Sequence, residues 1–253
     1  MIRDLSIVIP AYQEESRLPK TLSALGDFLA FGTSDIEIIL VDDGSEDATP
    51  EIMSAWCAGR PFARSLSLLH GGKAHAVKSG IMAARRNRVL FMDADLAVPL
   101  DEIPKLLHEL DRGADVAVGS RETCGASRVG ESPLRRLRGR AFNWLVRSLL
   151  IKGISDTQCG FKAFTRQAAR QVFTKTLLHA TPNQGLRGPS VTAFDVEVLF
   201  LAAYLGLEIV EVPVRWTHVR ESKVRTVADP LRMTGDVLKV RLNAMTGKYS
   251  KPE

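Results

Sequence analysis

Hydrophobic residues along this chain follow two alternating rhythms. Short, nearly unbroken apolar runs recur at Leu5-Ser6-Ile7-Val8-Ile9-Pro10, Ile36 to Val41, Leu66 to Leu69, Arg88-Val89-Leu90-Phe91-Met92 and Asp115 to Gly119. Between them lie longer stretches with apolar positions at helical spacing: Leu18 to Phe31, a segment opening around Asp47 to Pro50, Gly71-Gly72-Lys73 onward to about Arg85, and Leu100 to Leu110. Continuous runs of Val, Ile and Leu suit strands buried on both faces, and the spaced pattern suits amphipathic helices. Strand and helix in alternation predict a mostly parallel, doubly wound α/β sheet with helices on both faces over residues 1–120.

The second half is less regular. Leu134, Leu137, Ala141, Trp144, Leu145 and Leu149 recur at helical spacing, with Arg135, Arg136, Arg138, Arg140 and Arg147 on the other faces. Thr181 to Pro189 has the composition of a mobile loop. Phe194 to Leu205 reads as an apolar helix with acids near its start, Leu207 to Val214 as a strand, and Asp229 to Met245 as a weakly amphipathic helix carrying Arg232, Lys239 and Arg241.

Composition narrows the class. A chain of 253 residues, 45% hydrophobic and 25% charged, has ample means to bury a core. Cys57, Cys124 and Cys159 are widely spaced and odd in number, which gives no disulfide framework or metal-ligand spacing and suits a reducing compartment. No apolar run reaches ~18 residues and the start leads directly into a strand, so a cytoplasmic protein is expected. The net charge of +5 is unevenly spread: residues 121–152 and 215–251 each hold a local excess of six positive charges. Segregated positive charge suits an anionic partner such as a phosphate or a membrane surface, or else forms a solvated basic face.

Acids gather at three strand ends: Gln13-Glu14-Glu15, Asp42-Asp43 and Asp93-Ala94-Asp95. Ligands of open α/β sheets bind outside the carboxyl ends of the strands, where these acids would arrive. Two carboxylates one residue apart repel unless a positive charge lies beside them. A divalent cation carrying a diphosphate fits, because Mg²⁺ takes one or two carboxylates and fills its shell with phosphate oxygens and water; an Asp capping the next helix is the alternative. A nucleic-acid binder would have no use for acids at three strand ends. The loop after the first strand lacks Gly-x-Gly-x-x-Gly, which disfavours a dehydrogenase, and the absence of a Gly-Lys-Ser/Thr loop disfavours an ATPase.

Taken in order, Ile9-Pro10-Ala11-Tyr12-Gln13-Glu14-Glu15, Val41-Asp42-Asp43-Gly44-Ser45 with Asp47 and Thr49, Gly72-Lys73 with Ala76, and Asp93-Ala94-Asp95 resemble the motifs of glycosyltransferase family 2. Asp156-Thr157-Gln158-Cys159-Gly160-Phe161-Lys162, Phe194-Asp195-Val196-Glu197 and Trp216-Thr217-His218 with Glu221-Ser222-Lys223 look like its dolichyl-phosphate glucosyltransferase branch. The resemblance spans roughly residues 5–225. It implies the GT-A fold and inversion at the sugar. It also implies a nucleotide-sugar half (1–120), an acceptor half (121–225), and beyond 225 a basic amphipathic tail (226–253).

The resemblance further implies that Pro10, Tyr12 and Glu14 line the base and ribose pocket, that Asp42 contacts uracil or ribose, and that Lys73 lies nearby. Asp93 and Ala94 would help hold the nucleotide and Asp95 would bind the metal, Mg²⁺ or Mn²⁺. His218 is the candidate third ligand, with core packing or a surface position beside Trp216 as the alternative; imidazole suits Mn²⁺ better than Mg²⁺. UDP-glucose is the expected donor and a polyprenyl or dolichyl phosphate the expected acceptor, against GDP-mannose or a soluble hydroxyl acceptor. A phosphate monoester is already largely dianionic near neutral pH and needs basic residues to position it, for which Arg121, Arg135, Arg136, Arg138 and Lys162 are candidates. A hydroxyl acceptor would need a carboxylate base, and Asp195 is the one in place. One departure from close polyprenyl-phosphate enzymes is Ala97-Val98 after Leu96, where a polar residue is common. The helix from Leu134 to Leu150 either lies peripherally on the inner face of an anionic membrane or covers the core with a solvated Arg face.

Overall fold

A single sheet of seven strands, with helices on both faces, organises the protein; the computed structural model describes residues 2–30, 35–179, 188, 192–219 and 228–250. The elements run β1 (Leu5–Ala11), α1 (Leu18–Ala30), β2 (Ile36–Asp42), α2 (Thr49–Cys57), β3 (Ala63–Ser67), α3 (Lys73–Ala83) and β4 (Arg88–Met92). A 3-10 turn (Leu100–Glu102) then leads into α4 (Ile103–Asp111), β5 (Val116–Ser120), β6 (Ser127–Val129), α5 (Pro133–Leu149), β7 (Phe161–Thr165) and α6 (Arg166–Lys175). The chain ends in α7 (Phe194–Tyr204), β8 (Ile209–Pro213), β9 (Arg215–Thr217) and α8 (Ala228–Met245).

The sheet order is β3-β2-β1-β4-β7-β5-β8. All pairs are parallel except those of β7, which runs antiparallel between β4 and β5. Every residue of β1 and β2 is buried, as strands covered on both faces require. One core lies under α3, α5, α6, α7 and α8, the other under α1, α2 and α4. Close packing is enforced at Gly80 in α3, where a Cβ would overlap the side chains of Val8 and Val41. The strand order reverses beside β1 and β4, so their carboxyl ends open a crevice between diverging connections.

The alternating elements of residues 1–120 form as the hydrophobic pattern predicts, with one shift. β3 is Ala63–Ser67 rather than Leu66 to Leu69. The edge strand is only half-buried, and Leu69 points to solvent beyond its end. Four elements escaped the sequence reading. β7 carries Lys162 at its second position, which breaks the apolar run; β6 and β9 have three residues each and pair as a separate small sheet. α6 buries only Ala168, Ala169, Val172 and Phe173 among polar neighbours, and is started by Thr165, whose hydroxyl accepts the Ala168 N–H. Apart from Gly188, the stretch expected to form a mobile loop, Thr181 to Pro189, lies outside the described residues, as do Phe31 and Glu221-Ser222-Lys223.

Candidate active site

Beyond the ends of β1, β2 and β4 lies a pocket of about 230 Å³. Its wall includes Pro10, Tyr12, Glu14, Lys73, Asp93, Ala94 and Asp95, together with Arg17, Asp43, His70 and Gly72. Sequence reasoning named the first seven; the fold brings them together because parallel strands deliver their C-terminal residues to one edge.

The loop after β1 is held by the loop after β2. The Gln13, Glu14 and Glu15 N–H groups donate in turn to the Ser45 hydroxyl (2.9 Å), the Thr49 hydroxyl (2.8 Å) and the Asp47 carboxylate (3.2 Å). Glu15 returns the contact by accepting the Ala48 N–H at 3.1 Å. The spacing of Ser45, Asp47 and Thr49 thus serves to fix the chain beside Tyr12. The Glu14 carboxylate is held by Arg17, at 2.6 and 2.7 Å.

Tyr12 stacks on His70 with ring centroids 4.2 Å apart and planes 14° from parallel, giving a flat aromatic slab on the pocket wall. His70 Nδ1 sits 2.9 Å from Asp43 Oδ2, and Asp43 also accepts the Gly71 and Gly72 N–H groups at 2.9 and 2.8 Å. Burial raises the Asp43 carboxyl above its ordinary value despite these donors. Asp42, the acid expected to meet the base or ribose, is buried and accepts the Ser45 N–H instead; Asp43, one residue on, is the acid on the pocket wall. His70 was missed, and Asp43 was grouped with Asp42 at the strand end without being singled out. The signal for His70, a polar His-Gly-Gly between a short edge strand and a helix, is weak in sequence.

Asp93 and Asp95 form the floor. Lys73, at the first position of α3, pairs with Asp93 at 2.5 Å. Burial pulls the Lys73 ammonium down, but Asp93, Asp195 and Asp95 outweigh it and hold the pKa well above the usual lysine value. Leu96 adopts φ 52, a left-handed conformation costly for a branched side chain, and this turn lets Asp95 Oδ1 accept the Ala97 N–H at 3.0 Å. Burial, then the neighbouring charge of Asp93, raise the Asp95 carboxyl. Gly160 lies so close that a Cβ there would overlap the Asp93 carboxylate.

These two carboxylates, offset by Lys73 against Asp93 and by Lys73 and Arg17 around Asp95, fit a divalent cation. Among the described residues no three His, Cys, Asp or Glu side chains converge as a ready cage, so such an ion would complete its shell from phosphate oxygens and water. His218 stays in the neighbourhood without joining the acids. Its ring stacks on Trp216, centroids 5.9 Å apart, and Trp216 lines a narrow cleft with Asp93 and Asp95.

Behind the pocket, Lys162 on β7 is fully buried. Its ammonium bonds the Asp195 carboxylate and donates to the Cys159 carbonyl at 2.5 Å. Arg121 closes a two-pronged ion pair on Asp156 at 2.7 and 2.8 Å, with its guanidinium 5.5 Å from the Trp216 ring centre. Burial would raise the Asp156 carboxyl, but Arg121 dominates and holds it below the usual carboxylate range. Burial pushes the Cys159 thiol up to about 12, so it is inert near neutral pH. The α5 arginines stand apart from the pocket: Arg136 and Arg138 are exposed, and the Arg135 side chain lies outside the described residues.

Comparison with known proteins bears on the family and the fold. The family model "Glycosyl transferase family 2" matches residues 6–173. The chain is 35% identical to a dolichyl-phosphate β-glucosyltransferase of Homo sapiens over 98% of its own length and 78% of that protein. For the Dictyostelium discoideum protein of that name the identity is 34%, over 96% and 75%. Among solved structures, glucosyl-3-phosphoglycerate synthase from Mycobacterium tuberculosis in complex with UDP superposes with a TM-score of 0.63 at 22% identity, covering 99% of this chain and 82% of that one. A mannosyltransferase from Pyrobaculum calidifontis, in complex with GDP-Man and Mn²⁺, gives 0.61 at 16%, covering 97% and 65%. These likenesses carry the GT-A fold. The sequence matches carry more: the chain is a glycosyltransferase, belongs to glycosyl transferase family 2, and within it resembles the dolichyl-phosphate β-glucosyltransferases.

Proposed function

We propose that this enzyme transfers glucose from UDP-glucose to a polyprenyl or dolichyl phosphate with inversion, using a divalent cation. The observation that carries the reading is the floor of the pocket, where Asp93, Asp95 and Lys73 lie below the Tyr12–His70 slab. A planar base suits the slab, and a diphosphate suits an ammonium beside two carboxylates that call for a cation. Mg²⁺ or Mn²⁺, held by Asp93 and Asp95, would neutralise charge building on the departing nucleoside diphosphate. The likeness to dolichyl-phosphate β-glucosyltransferases supports glucose and the lipid phosphate, and the structural neighbours in complex with UDP and Mn²⁺ support donor and metal. His218 is a further ligand in this reading only if it moves off Trp216.

The residues divide the work. Lys73 sits where it can meet a phosphate oxygen while holding Asp93 in place. Lys162 and Asp195 act together as positioning residues. A carboxylate locked to a buried ammonium makes a poor base for a hydroxyl, and this favours a nucleophile that arrives already ionised. Such an acceptor needs positive charge to guide it, and the candidates for that are Arg121, as far as its pair with Asp156 leaves it available, and the exposed α5 arginines. The nucleotide sugar occupies the half formed by residues 1–120 and the acceptor the half formed by 121–225, with 226–253 as a basic tail. Among the described residues no helix is long and apolar enough to cross a membrane, and a lipid acceptor then implies peripheral contact with a membrane from the cytoplasmic side.

The test offers UDP-glucose or GDP-mannose, with short-chain prenyl phosphates or soluble alcohols as acceptors, in Mn²⁺ or after chelation. Glucosyl prenyl phosphate formed only with metal is expected. Transfer to an alcohol, transfer from GDP-mannose alone, or full turnover after chelation would each overturn part of the reading.

A further inference from the structure

Two helices of this protein turn leucines outward and polar groups inward. On α8, Leu231, Leu238, Leu242 and Met245 are each more than half exposed. Their spacing of seven, four and three residues places all four on one stripe of the helix. The opposite side holds Val237 and Val240 in the core, with Asp236 fully buried. That carboxylate accepts the Ala193 N–H at 3.2 Å and meets His179 at 3.2 Å. α5 repeats the plan: Leu137 and Trp144, seven residues apart, are more than half exposed, while Val146 and Asn143 face inward. The buried Asn143 amide oxygen accepts from the Thr157 N–H and hydroxyl at 3.3 and 3.0 Å. The helices pack on each other over one core, so their outward stripes lie on the same side of the molecule.

Basic residues flank both stripes. Arg136, Arg138, Arg140 and Arg147 on α5, and Arg232, Lys239 and Arg241 on α8, are all exposed. Among the described side chains of the two helices the one carboxylate is the buried Asp236. Apolar stripes bordered by cations whose long stems can lie along them match the interface of an anionic bilayer, with leucines at the acyl boundary and charges among headgroups. A second copy of the chain fits badly, because an isologous contact would set arginine against arginine with no exposed acid among the described side chains of the two helices to answer it.

We propose that α5 and α8 form a two-helix platform that lies in the surface of an anionic membrane. The proposal rests on the lipid-phosphate reading for its purpose and adds the surface that makes the contact. The platform is also tied to the site: Asn143 holds Thr157, next to the Asp156 that grips Arg121, and Asp236 holds Ala193, two residues before Asp195. A docked platform therefore sets the acceptor side of the pocket at the depth of a lipid headgroup.

The experiment is sedimentation of the full chain with vesicles of phosphatidylcholine alone or mixed with phosphatidylglycerol. It compares wild type with Leu238→Ser/Leu242→Ser/Met245→Ser and, separately, Arg241→Gln/Lys248→Gln; all are exposed positions. Wild type is expected to bind the mixed vesicles and the serine variant on the order of a hundredfold more weakly, since three apolar side chains no longer enter the acyl boundary. The glutamine variant should lose the preference for anionic lipid. Transfer to a water-soluble short-chain prenyl phosphate should be unchanged in both, and transfer to a vesicle-embedded acceptor should fall with binding. Wild type remaining in the supernatant with every vesicle, a serine variant binding as wild type does, or a wild-type dimer that the serine substitutions dissolve would overturn the platform. Vesicle binding without transfer to any prenyl phosphate would leave the platform standing and sink the acceptor reading instead.

Discussion

Replacing Lys162 by methionine removes a cation from the middle of the sheet and leaves the Asp195 carboxylate behind. Lys162 is fully buried on β7, with Ala163 and Phe161 beside it, and its ammonium lies 5.4 Å from the ring centre of Phe91. Asp195 is also buried. Removing one partner of a buried ion pair costs roughly 3–5 kcal/mol, most of it the penalty of an uncompensated charge. The Cys159 carbonyl loses its donor in the same step. For a domain of this size each kcal/mol lowers Tm by about 2–4 °C, so Lys162→Met should melt about 6–20 °C lower. Lys162→Met/Asp195→Leu replaces both charges by apolar side chains and should recover most of that loss. Chemical denaturation of wild type, single and double variants provides the measurement. A double variant no more stable than the single would refute the reasoning, as would a single variant within about 1 kcal/mol of wild type, the range of an exposed pair. Turnover of the double variant separates stability from positioning, because a folded but inactive protein shows that the pair orients the acceptor side as well.

Other expectations are as direct. Gly160→Ala should cut transfer by about a hundredfold with little change in stability, since its Cβ would push the Asp93 carboxylate aside and misplacement by about 1 Å at a reacting site costs that much; initial rates beside a denaturation curve would show it. Tyr12→Ala should weaken nucleotide binding by about 0.5–1.5 kcal/mol through loss of the stack with His70, while Tyr12→Phe keeps it; equal losses in the two variants would point to the hydroxyl. The folded-state pKa of Asp156 is depressed, so its pair with Arg121 stabilises the protein fully above the ordinary carboxylate range, and the contribution is lost as pH falls through the folded value. Stability curves in acid should therefore be flatter for Asp156→Asn than for wild type, and parallel curves would contradict the assignment.

Much of the fold could be read from the sequence, for physical reasons specific to each element. β1, β2 and β4 are buried on both faces and so become nearly unbroken apolar runs, interrupted in β1 and β2 by Ser6 and Glu37, which bond each other at 2.6 Å, and α4 shows Ile103, Leu106, Leu107 and Leu110 on one face. The acids behind those strands read as a site because parallel strands deliver their ends to one edge. β7 was hidden because its second residue, Lys162, is a lysine whose burial depends on an acid 33 residues later in the chain. Neither β6 nor β9 is long enough to show a period, and their pairing spans most of the second half. In the pocket, the choice between Asp42 and Asp43 turns on which side chain the strand end aims outward, a detail set by β2 pairing with β1 to its last residue. His70 reaches the slab through the turn before α3, and nothing local in the sequence announces that.

In the proposed mechanism Asp95, with Asp93, couples a divalent cation to the nucleotide sugar. Calorimetric titration of UDP-glucose into wild type and into Asp95→Asn, each with and without Mn²⁺, tests it most directly. Mn²⁺ should tighten UDP-glucose binding to wild type by about 5–150-fold, the usual range of coupling between two sites, and should leave the variant's affinity nearly unchanged. Equal affinity with and without metal in wild type, or the same metal-dependent gain in Asp95→Asn, would contradict the account.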